Sequence, residues 1–192
     1  AGDYVYRICP SDALQGSQLA EYAINTLKAK KVSILFMNTD YGVGLSETFQ
    51  KKFIELGGEI LSSDGYPQNE TQFQTQLIKI NKLNPDIIFM PSNWKEAANA
   101  VNQAKQLNVK KQILCTDGTF EKDFLELTKG SSEGVIITSF AWGEGPYKKQ
   151  ADEFEEKFKS KFGADPGGYA ALCYDALLVV SNVLMKTNYD VA

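Results

Sequence analysis

The clearest structural signal in the chain is the segment Lys31-Val32-Ser33-Ile34-Leu35-Phe36-Met37-Asn38-Thr39-Asp40-Tyr41-Gly42. Val32 to Met37 is a nearly unbroken apolar run that is too short for a typical helix. Such a run is typical of a strand that is buried on both faces of a parallel sheet. A polar loop with turn chemistry follows, and residues 43–56 then show helical periodicity. The segment therefore predicts a strand, a loop at its carboxyl end and a crossover helix.

The residues directly after this strand are candidates for ligand contact. In open α/β sheets, ligands bind outside the carboxyl ends of the strands. Asp40 and Tyr41 follow the apolar run. The sequence therefore predicts that both lie where a ligand meets the sheet.

Composition and charge exclude several classes of protein. The chain has 192 residues, a length that suggests one domain or one domain and part of another. Of its residues, 43% are hydrophobic and 23% are charged, which is ordinary for a soluble globular protein. The net charge is −4, and the densest basic cluster is Lys28-Ala29-Lys30-Lys31. Nucleic-acid binding needs a more concentrated basic face, so we predict no nucleic-acid partner. The longest apolar run, Ala176 to Val180, is far shorter than the ~20 residues of a membrane span.

Missing residue types exclude most catalytic chemistry. The chain has no histidine, which rules out Ser-His-Asp triads and histidine-liganded zinc. Cys9, Cys115 and Cys173 lie far apart, so they form no CxxC motif. They favour neither a reducing nor an oxidising compartment for the protein. Gly42-Val43-Gly44 hints at a dinucleotide loop, but Glu47 stands where that fingerprint needs glycine. We therefore predict no enzyme activity, no metal and no cofactor.

Strands and helices alternate along most of the chain. The predicted strands occupy residues 3–9, 32–37, 59–61, 87–90, 112–115 and 134–140. The patterns Thr71–Gln74 and Asn93–Glu96 predict capping boxes at helix starts, and Asp64 to Pro67 predicts a turn. Helical crossovers spaced about 25 residues apart force parallel pairing of the strands. The predicted fold class is α/β, a doubly wound parallel sheet.

The pattern breaks after Phe140. Residues 141–146 form a Gly/Pro connection, and helices are predicted over 152–162 and 169–186. The second helix is apolar on most of its circumference, so it needs more protein around it than residues 141–192 supply. We expect an incomplete chain with three parts: 1–10, a first crossover strand; 11–140, an α/β lobe; and 141–192, helices that belong to another lobe.

The predicted strand exits place a set of polar and aromatic side chains at one edge of the sheet. Each also has a structural interpretation. Asn93 is a natural helix cap, Tyr41 could lean on its helix, and Asp117 before Gly118 could be a turn residue. Exposing the Trp94 side chain to solvent without a partner would be energetically unfavourable, which favours a role for it in ligand recognition. The set is Asp40, Tyr41, Asn93, Trp94, Asp117 and Phe120.

Taken together and in order, four segments resemble the type I periplasmic binding proteins, above all the leucine/isoleucine/valine-binding branch that serves ABC importers. These segments are Ile34 to Gly44, Asn84-Pro85-Asp86-Ile87-Ile88, Glu133-Gly134-Val135 and Tyr174-Asp175-Ala176. The resemblance implies two α/β lobes joined by three crossovers, with the ligand held between them. It also implies that the chain begins at the first crossover, runs through the second lobe and returns to the first lobe near Phe140.

The resemblance implies roles for individual residues. Tyr41 matches a tyrosine that lines the second-lobe side of the pocket. Asp117 matches the acidic residue, usually glutamate, that receives the ligand's α-ammonium. Asn93 falls near a family aromatic, with Trp94 beside it. Tyr169 matches an aromatic from the returning segment that covers the ligand side chain.

The resemblance also implies partners and a location. The ligand is an amino acid, branched-chain or related, and the membrane partner is an ABC permease. The location is periplasmic or extracellular, and a lipid anchor is an option for the full-length protein. A sensor domain of a receptor built on the same fold remains an alternative. We also expect the unpaired apolar helix either to fold back over the lobe or to pair two copies in a homodimer.

Overall fold

A computed structural model describes residues 3–139 and 145–188. These residues fall into two compact units. The core unit is Ser11–Ser139, and the helical unit comprises the described residues 3–10 and 145–188. Phe140 and the predicted connection up to residue 144 lie outside the described residues.

The core unit contains a parallel sheet in which β1 is flanked on both sides. All four neighbouring pairs of strands run parallel, and the spatial order is β2-β1-β3-β4-β5. The predicted α/β parallel sheet is confirmed. The strands are β1 (Lys31–Met37), β2 (Glu59–Tyr66), β3 (Ile87–Met90), β4 (Gln112–Cys115) and β5 (Ile136–Ile137).

Helices cover both faces of this sheet. On one face, α1 and α2 pack over Val32, Ile34 and Phe89, while α3 and α4 pack over Leu35 and Met37 on the other face. Because β1 contributes to both hydrophobic clusters, its sequence reads as a continuous apolar run. The helices are α1 (Asp12–Asn25), α2 (Asp40–Glu55), α3 (Gln74–Leu83), α4 (Trp94–Gln106) and α5 (Lys122–Thr128), with a 3₁₀ turn at Asp117–Thr119.

The start of α2 is pressed closely against the end of β1. Thr39 caps the helix, and its Oγ1 accepts a hydrogen bond from the Gly42 N–H at 3.3 Å. A Cβ added at Gly42 would overlap the carbonyl oxygen of Met37. Glycine at this position therefore lets the helix turn back tightly from the strand, which places Tyr41 at the edge of the sheet.

Strand β2 is longer than its sequence predicts. The predicted turn that begins at Asp64 is wrong, because β2 continues to Tyr66 and pairs with β1 as far as Met37. A Cβ on Gly65 would lie only 3.0 Å from the Phe36 ring. The second half of β2 is polar, and its pairing with the apolar strand β1 determines its conformation.

Both predicted capping boxes are wrong. The helix α3 begins at Gln74, and Glu70 Oε1 instead accepts from the N–H groups of Thr71 and Gln72 at 2.8 and 2.9 Å. Asn93 occupies the N-cap position of α4, but its side chain makes no capping bond there. Glu96 is buried and accepts from the Asn69 N–H at 2.8 Å, so tertiary contacts take the carboxylate that the pattern assigned to a cap.

The predicted strand over residues 3–9 is also wrong. Residues 3–10 form a turn and irregular backbone, and Tyr4 and Tyr6 are almost fully exposed. A strand needs a neighbouring backbone for its hydrogen bonds, and no described strand pairs with this segment. The strand predicted over 134–140 is present in shortened form as β5.

The helical unit contains two long helices, α6 (Lys148–Phe162) and α7 (Gly168–Lys186). The rings of Phe154 and Tyr174 meet with centroids 4.8 Å apart. Within α7 only Ala171 is buried, and Leu177 is 67% exposed. By length and composition α7 is the one helix among the described residues that could cross a membrane, a test that the core helix of a soluble protein also passes.

Candidate functional site

Loops that leave three adjacent strands meet at Gly118. A Cβ added there would lie 3.0 Å from the Ser92 carbonyl oxygen, 3.0 Å from Tyr41 Oη and 3.1 Å from Asn93 Oδ1. These residues follow β1, β3 and β4, which are neighbours in the sheet. The structure therefore brings Tyr41, Asn93 and Asp117 together at the carboxyl edge, as their positions after the strands predict. We call Tyr41, Asn93, Thr116, Asp117 and Gly118 the edge cluster.

The hydroxyl of Tyr41 lies at the centre of the edge cluster. It is 2.8 Å from Asp117 Oδ1 and 2.8 Å from Thr116 Oγ1, and the Gly118 N–H donates to it at 3.0 Å. Burial, and next the negative charge of Asp117, raise the pKa of the Tyr41 hydroxyl well above its usual range. Tyr41 therefore remains a neutral hydrogen-bond donor at physiological pH.

A second tyrosine supports the same edge from β2. Tyr66 donates to Ser92 Oγ at 2.6 Å, and Ser92 Oγ donates in turn to the Asn93 carbonyl at 2.9 Å. Thr119 Oγ1 donates to the Ser92 carbonyl at 3.1 Å. Burial raises the pKa of the Tyr66 hydroxyl above its usual range. These bonds tie the exit loops of β3 and β4 to β2.

Sequence reasoning missed Thr116, Tyr66 and Ser92. Thr116 directly precedes Asp117, so its position after β4 was an available signal. Tyr66 was hidden because Asp64-Gly65-Tyr66-Pro67 reads as a turn. Ser92 lies between a strand and a predicted cap, and nothing in the local pattern distinguishes it.

Asn93 and Trp94 are neighbours with different surroundings. Asn93 Nδ2 lies 3.9 Å from the sulfur of Met37, and its oxygen lies beside Gly118. The indole of Trp94 lines a shallow groove between α4 and α5, and the Lys95 ammonium lies 5.0 Å from its ring centroid. The groove is lined by Trp94, Lys95, Asn99, Asp123, Glu126 and Leu127.

The other predicted side chains are more exposed. Asp40 is the first residue of α2 and is exposed, and Phe120 is 53% exposed after the 3₁₀ turn. Tyr169 lies in the first turn of α7, in the helical unit, and is 43% exposed. Its contact with a ligand remains a prediction.

The chemistry of the edge cluster suits binding. It contains one carboxylate, two hydroxyl groups that bond within the cluster, the side-chain amide of Asn93 and the aromatic ring of Tyr41, which packs against the core. A carboxylate at a half-buried edge is a natural partner for a cationic group on a small molecule. Among the described residues, no group of three or more His, Cys, Asp or Glu side chains is arranged to hold a metal ion.

Known proteins match this chain along nearly all of its length. The family model described as "Periplasmic binding protein" matches residues 1–191. The leucine-specific-binding protein of Salmonella typhimurium is 23% identical over 186 residues, which cover 96% of this chain and 49% of that protein. The amino acid binding protein of Pseudomonas aeruginosa is 26% identical and covers 90% of this chain and 46% of its own length.

A solved structure shows the same fold at higher identity. The leucine binding protein of Thermotoga maritima is 32% identical with a TM-score of 0.88, over 97% of this chain and 54% of that one. The chain spans about half the length of the curated relatives it matches. None of these matches concerns self-association through α7, which remains a prediction.

Proposed function

Because this chain belongs to the periplasmic binding protein family, we propose that it forms one wall of a cleft that binds an amino acid for an ABC importer. The observation that carries this proposal is the meeting of Tyr41, Asn93 and Asp117 at Gly118, at the carboxyl ends of three adjacent strands. This edge is where open α/β sheets bind ligands. A periplasmic location follows from the family.

Asp117 receives the α-ammonium of the amino acid. Its carboxylate is held at the edge by the Tyr41 hydroxyl at 2.8 Å. A desolvated ammonium needs a carboxylate partner, because burying an unpaired charge is strongly unfavourable. Tyr41, Asn93 and Trp94 contribute further contacts, and the two aromatic side chains among them cover an apolar side chain of the ligand.

A branched-chain amino acid is the preferred ligand. The relatives from Salmonella typhimurium and Thermotoga maritima are named for leucine. The edge cluster offers a single carboxylate, which suits one ammonium and no second cationic group. The partner that receives the amino acid is the permease of the importer, and the protein acts by binding rather than by catalysis.

The test is the change Asp117→Asn in the intact protein, with leucine binding measured by isothermal titration calorimetry. The change removes the charge but keeps the size of the side chain, so we expect a loss of about 2–5 kcal/mol in binding free energy. Asp152→Asn is the matched control, because Asp152 is exposed on α6. The Asp152→Asn variant should bind leucine with the affinity of the wild type. An unchanged affinity of Asp117→Asn would show that the ammonium assignment is wrong.

A further inference from the structure

The hydroxyl of Tyr41 has no hydrogen-bonding capacity left for a ligand. A tyrosine hydroxyl has one proton and accepts at most two hydrogen bonds. The carboxylate of Asp117 can only accept, so the proton is donated to Asp117 Oδ1 at 2.8 Å. The Gly118 N–H donates to the same oxygen at 3.0 Å, and Thr116 Oγ1 lies 2.8 Å from it, so three polar atoms already surround the hydroxyl.

From this proton count we propose that Tyr41 is a positioning residue, which holds the carboxylate of Asp117 in place and makes no hydrogen bond of its own to the amino acid. The inference rests on the proposed function, because it assumes that Asp117 receives the ammonium. It assigns Tyr41 a role through another side chain, in place of direct polar contact with the ligand.

The surroundings of Tyr41 keep its hydroxyl in this position. Its backbone is fixed by the close approach of Gly42 to Met37, and its ring packs against the core. At Gly118 a Cβ would lie 3.0 Å from the hydroxyl, so the loop after β4 encloses it tightly. A donor held this rigidly lowers the freedom of the carboxylate before the ligand arrives. Asp117 is thereby pre-organised for an ammonium.

Thr116 completes the arrangement. Its side chain is fully buried, and its Oγ1 lies 2.8 Å from Tyr41 Oη. Thr116 and Asp117 therefore hold the tyrosine hydroxyl between them. Thr116→Val keeps the shape of the side chain but removes its hydroxyl, whereas Thr116→Ser keeps the hydroxyl.

The test is a double-mutant cycle on leucine affinity, measured by calorimetry in the intact protein. Tyr41→Phe alone should weaken binding roughly tenfold or more, since a hydrogen bond to a charged group is lost. In the Asp117→Asn background the same change should weaken binding less than about twofold, because its effect passes through the carboxylate.

Tyr66→Phe is the matched control. Tyr66 is also buried and also donates to a neighbouring loop, but its acceptor is Ser92 Oγ rather than Asp117. Its effect on leucine affinity, whatever its size, should be the same with Asp117 and with Asn at position 117. If Tyr41→Phe acted only through a general loss of rigidity, its effect on leucine affinity would also be the same with Asp117 and with Asn at position 117. That additive result would overturn the inference.

Two further results separate this inference from the proposed function. If Asp117→Asn binds leucine as the wild type does, the proposed function and this inference both fall. If Asp117→Asn is weakened but Tyr41→Phe acts equally in both backgrounds, only this inference falls. Should Tyr41→Phe not fold, Thr116→Val replaces it in the cycle with the same expectation of non-additivity, and Thr116→Ser should restore wild-type affinity.

Discussion

The core unit and the helical unit use apolar residues in opposite ways. In the core unit, Leu45, Phe49 and Phe89 are completely buried, and the rings of Phe49 and Phe89 stack with centroids 4.0 Å apart. In the helical unit, α7 is the most apolar helix among the described residues, yet Leu177 is 67% and Val180 54% exposed. Apolar composition therefore does not by itself bury a helix.

The difference lies in what each helix packs against. The five-stranded sheet has two apolar faces, and each is covered by helices that in turn bury their own apolar stripe. In α7 the apolar residues extend around most of the circumference, so one neighbouring helix cannot cover them all. A helix buries its apolar residues only where another apolar surface packs against them. Four predictions test how far the two units differ in this respect.

The largest expected contrast concerns the thiols. Cys115 is fully buried in β4, and burial raises its pKa from the ordinary 9.0 to about 12, whereas Cys9 and Cys173 are exposed. Thiol reagents attack the thiolate, so at pH 8 we expect Cys115 to react about a thousandfold or more slowly than Cys9 and Cys173. We expect its reaction to require unfolding of the core unit. The measurement is the rate of Ellman's reagent labelling, with Cys115→Ala as the control that removes only the slow phase.

The same pKa shift predicts a pH dependence of stability. The folded state keeps Cys115 neutral above pH 9, where the thiol of the unfolded chain ionises. The stabilisation is therefore complete below the unfolded pKa and is lost as the pH rises towards about 12. If all three thiols reacted with Ellman's reagent at similar rates at pH 8, Cys115 would be as accessible as Cys9 and Cys173, which would contradict its burial in β4.

Two glycines in the first turns of α2 test how tightly the core unit is packed. A Cβ at Gly42 would overlap backbone atoms of Met37, so Gly42→Ala should lower the free energy of unfolding by roughly 3–5 kcal/mol. At Gly44 an added Cβ meets nothing within 4 Å, and Gly44→Ala should be neutral or stabilise the protein by up to about 1 kcal/mol. Urea unfolding measures both, and equal effects would contradict the tight turn between β1 and α2.

A pair of leucines compares the two units directly and should give the smaller effect. Leu45 in α2 is fully buried, and Leu45→Ala should cost about 2–5 kcal/mol in unfolding free energy. Leu177 in α7 is 67% exposed, and Leu177→Ala should change it by less than about 0.5 kcal/mol. If thermal and urea unfolding showed Leu177→Ala to be as costly as Leu45→Ala, the face of α7 would be covered in solution and the contrast would disappear.

How well the elements could be predicted depended on where they lie. Strands β3 and β4 were predicted with their observed bounds, because each is a short apolar run with polar or proline-containing flanks. The second half of β2 was not, because Ser62 to Tyr66 lacks strand character and its neighbour β1 imposes the conformation. The capping boxes failed for a related reason, since Glu96 hydrogen-bonds with a residue 27 positions away.

The candidate site was predicted in part. Tyr41, Asn93 and Asp117 were placed at one edge because parallel strands present their carboxyl ends together, and the structure does bring them together at Gly118. Thr116 was missed although it directly follows β4, and Tyr66 was missed because its segment reads as a turn. Their hydrogen bonds join residues 75 and 26 positions apart, so the partners themselves leave no local pattern. The role of Tyr41 as a donor to Asp117 likewise depends on the distances between their atoms.

The order of apolar runs, polar exits and amphipathic helices along this chain was enough to determine a parallel α/β sheet and the edge at which its polar side chains gather. This information is local, since strand and helix periods follow from backbone geometry within a few residues. The tertiary structure alone decided the length of β2, the partners of Glu96 and the saturation of the Tyr41 hydroxyl. These features depend on which groups meet across the sheet, and hydrogen bonds and close contacts are made or lost over a few tenths of an ångström.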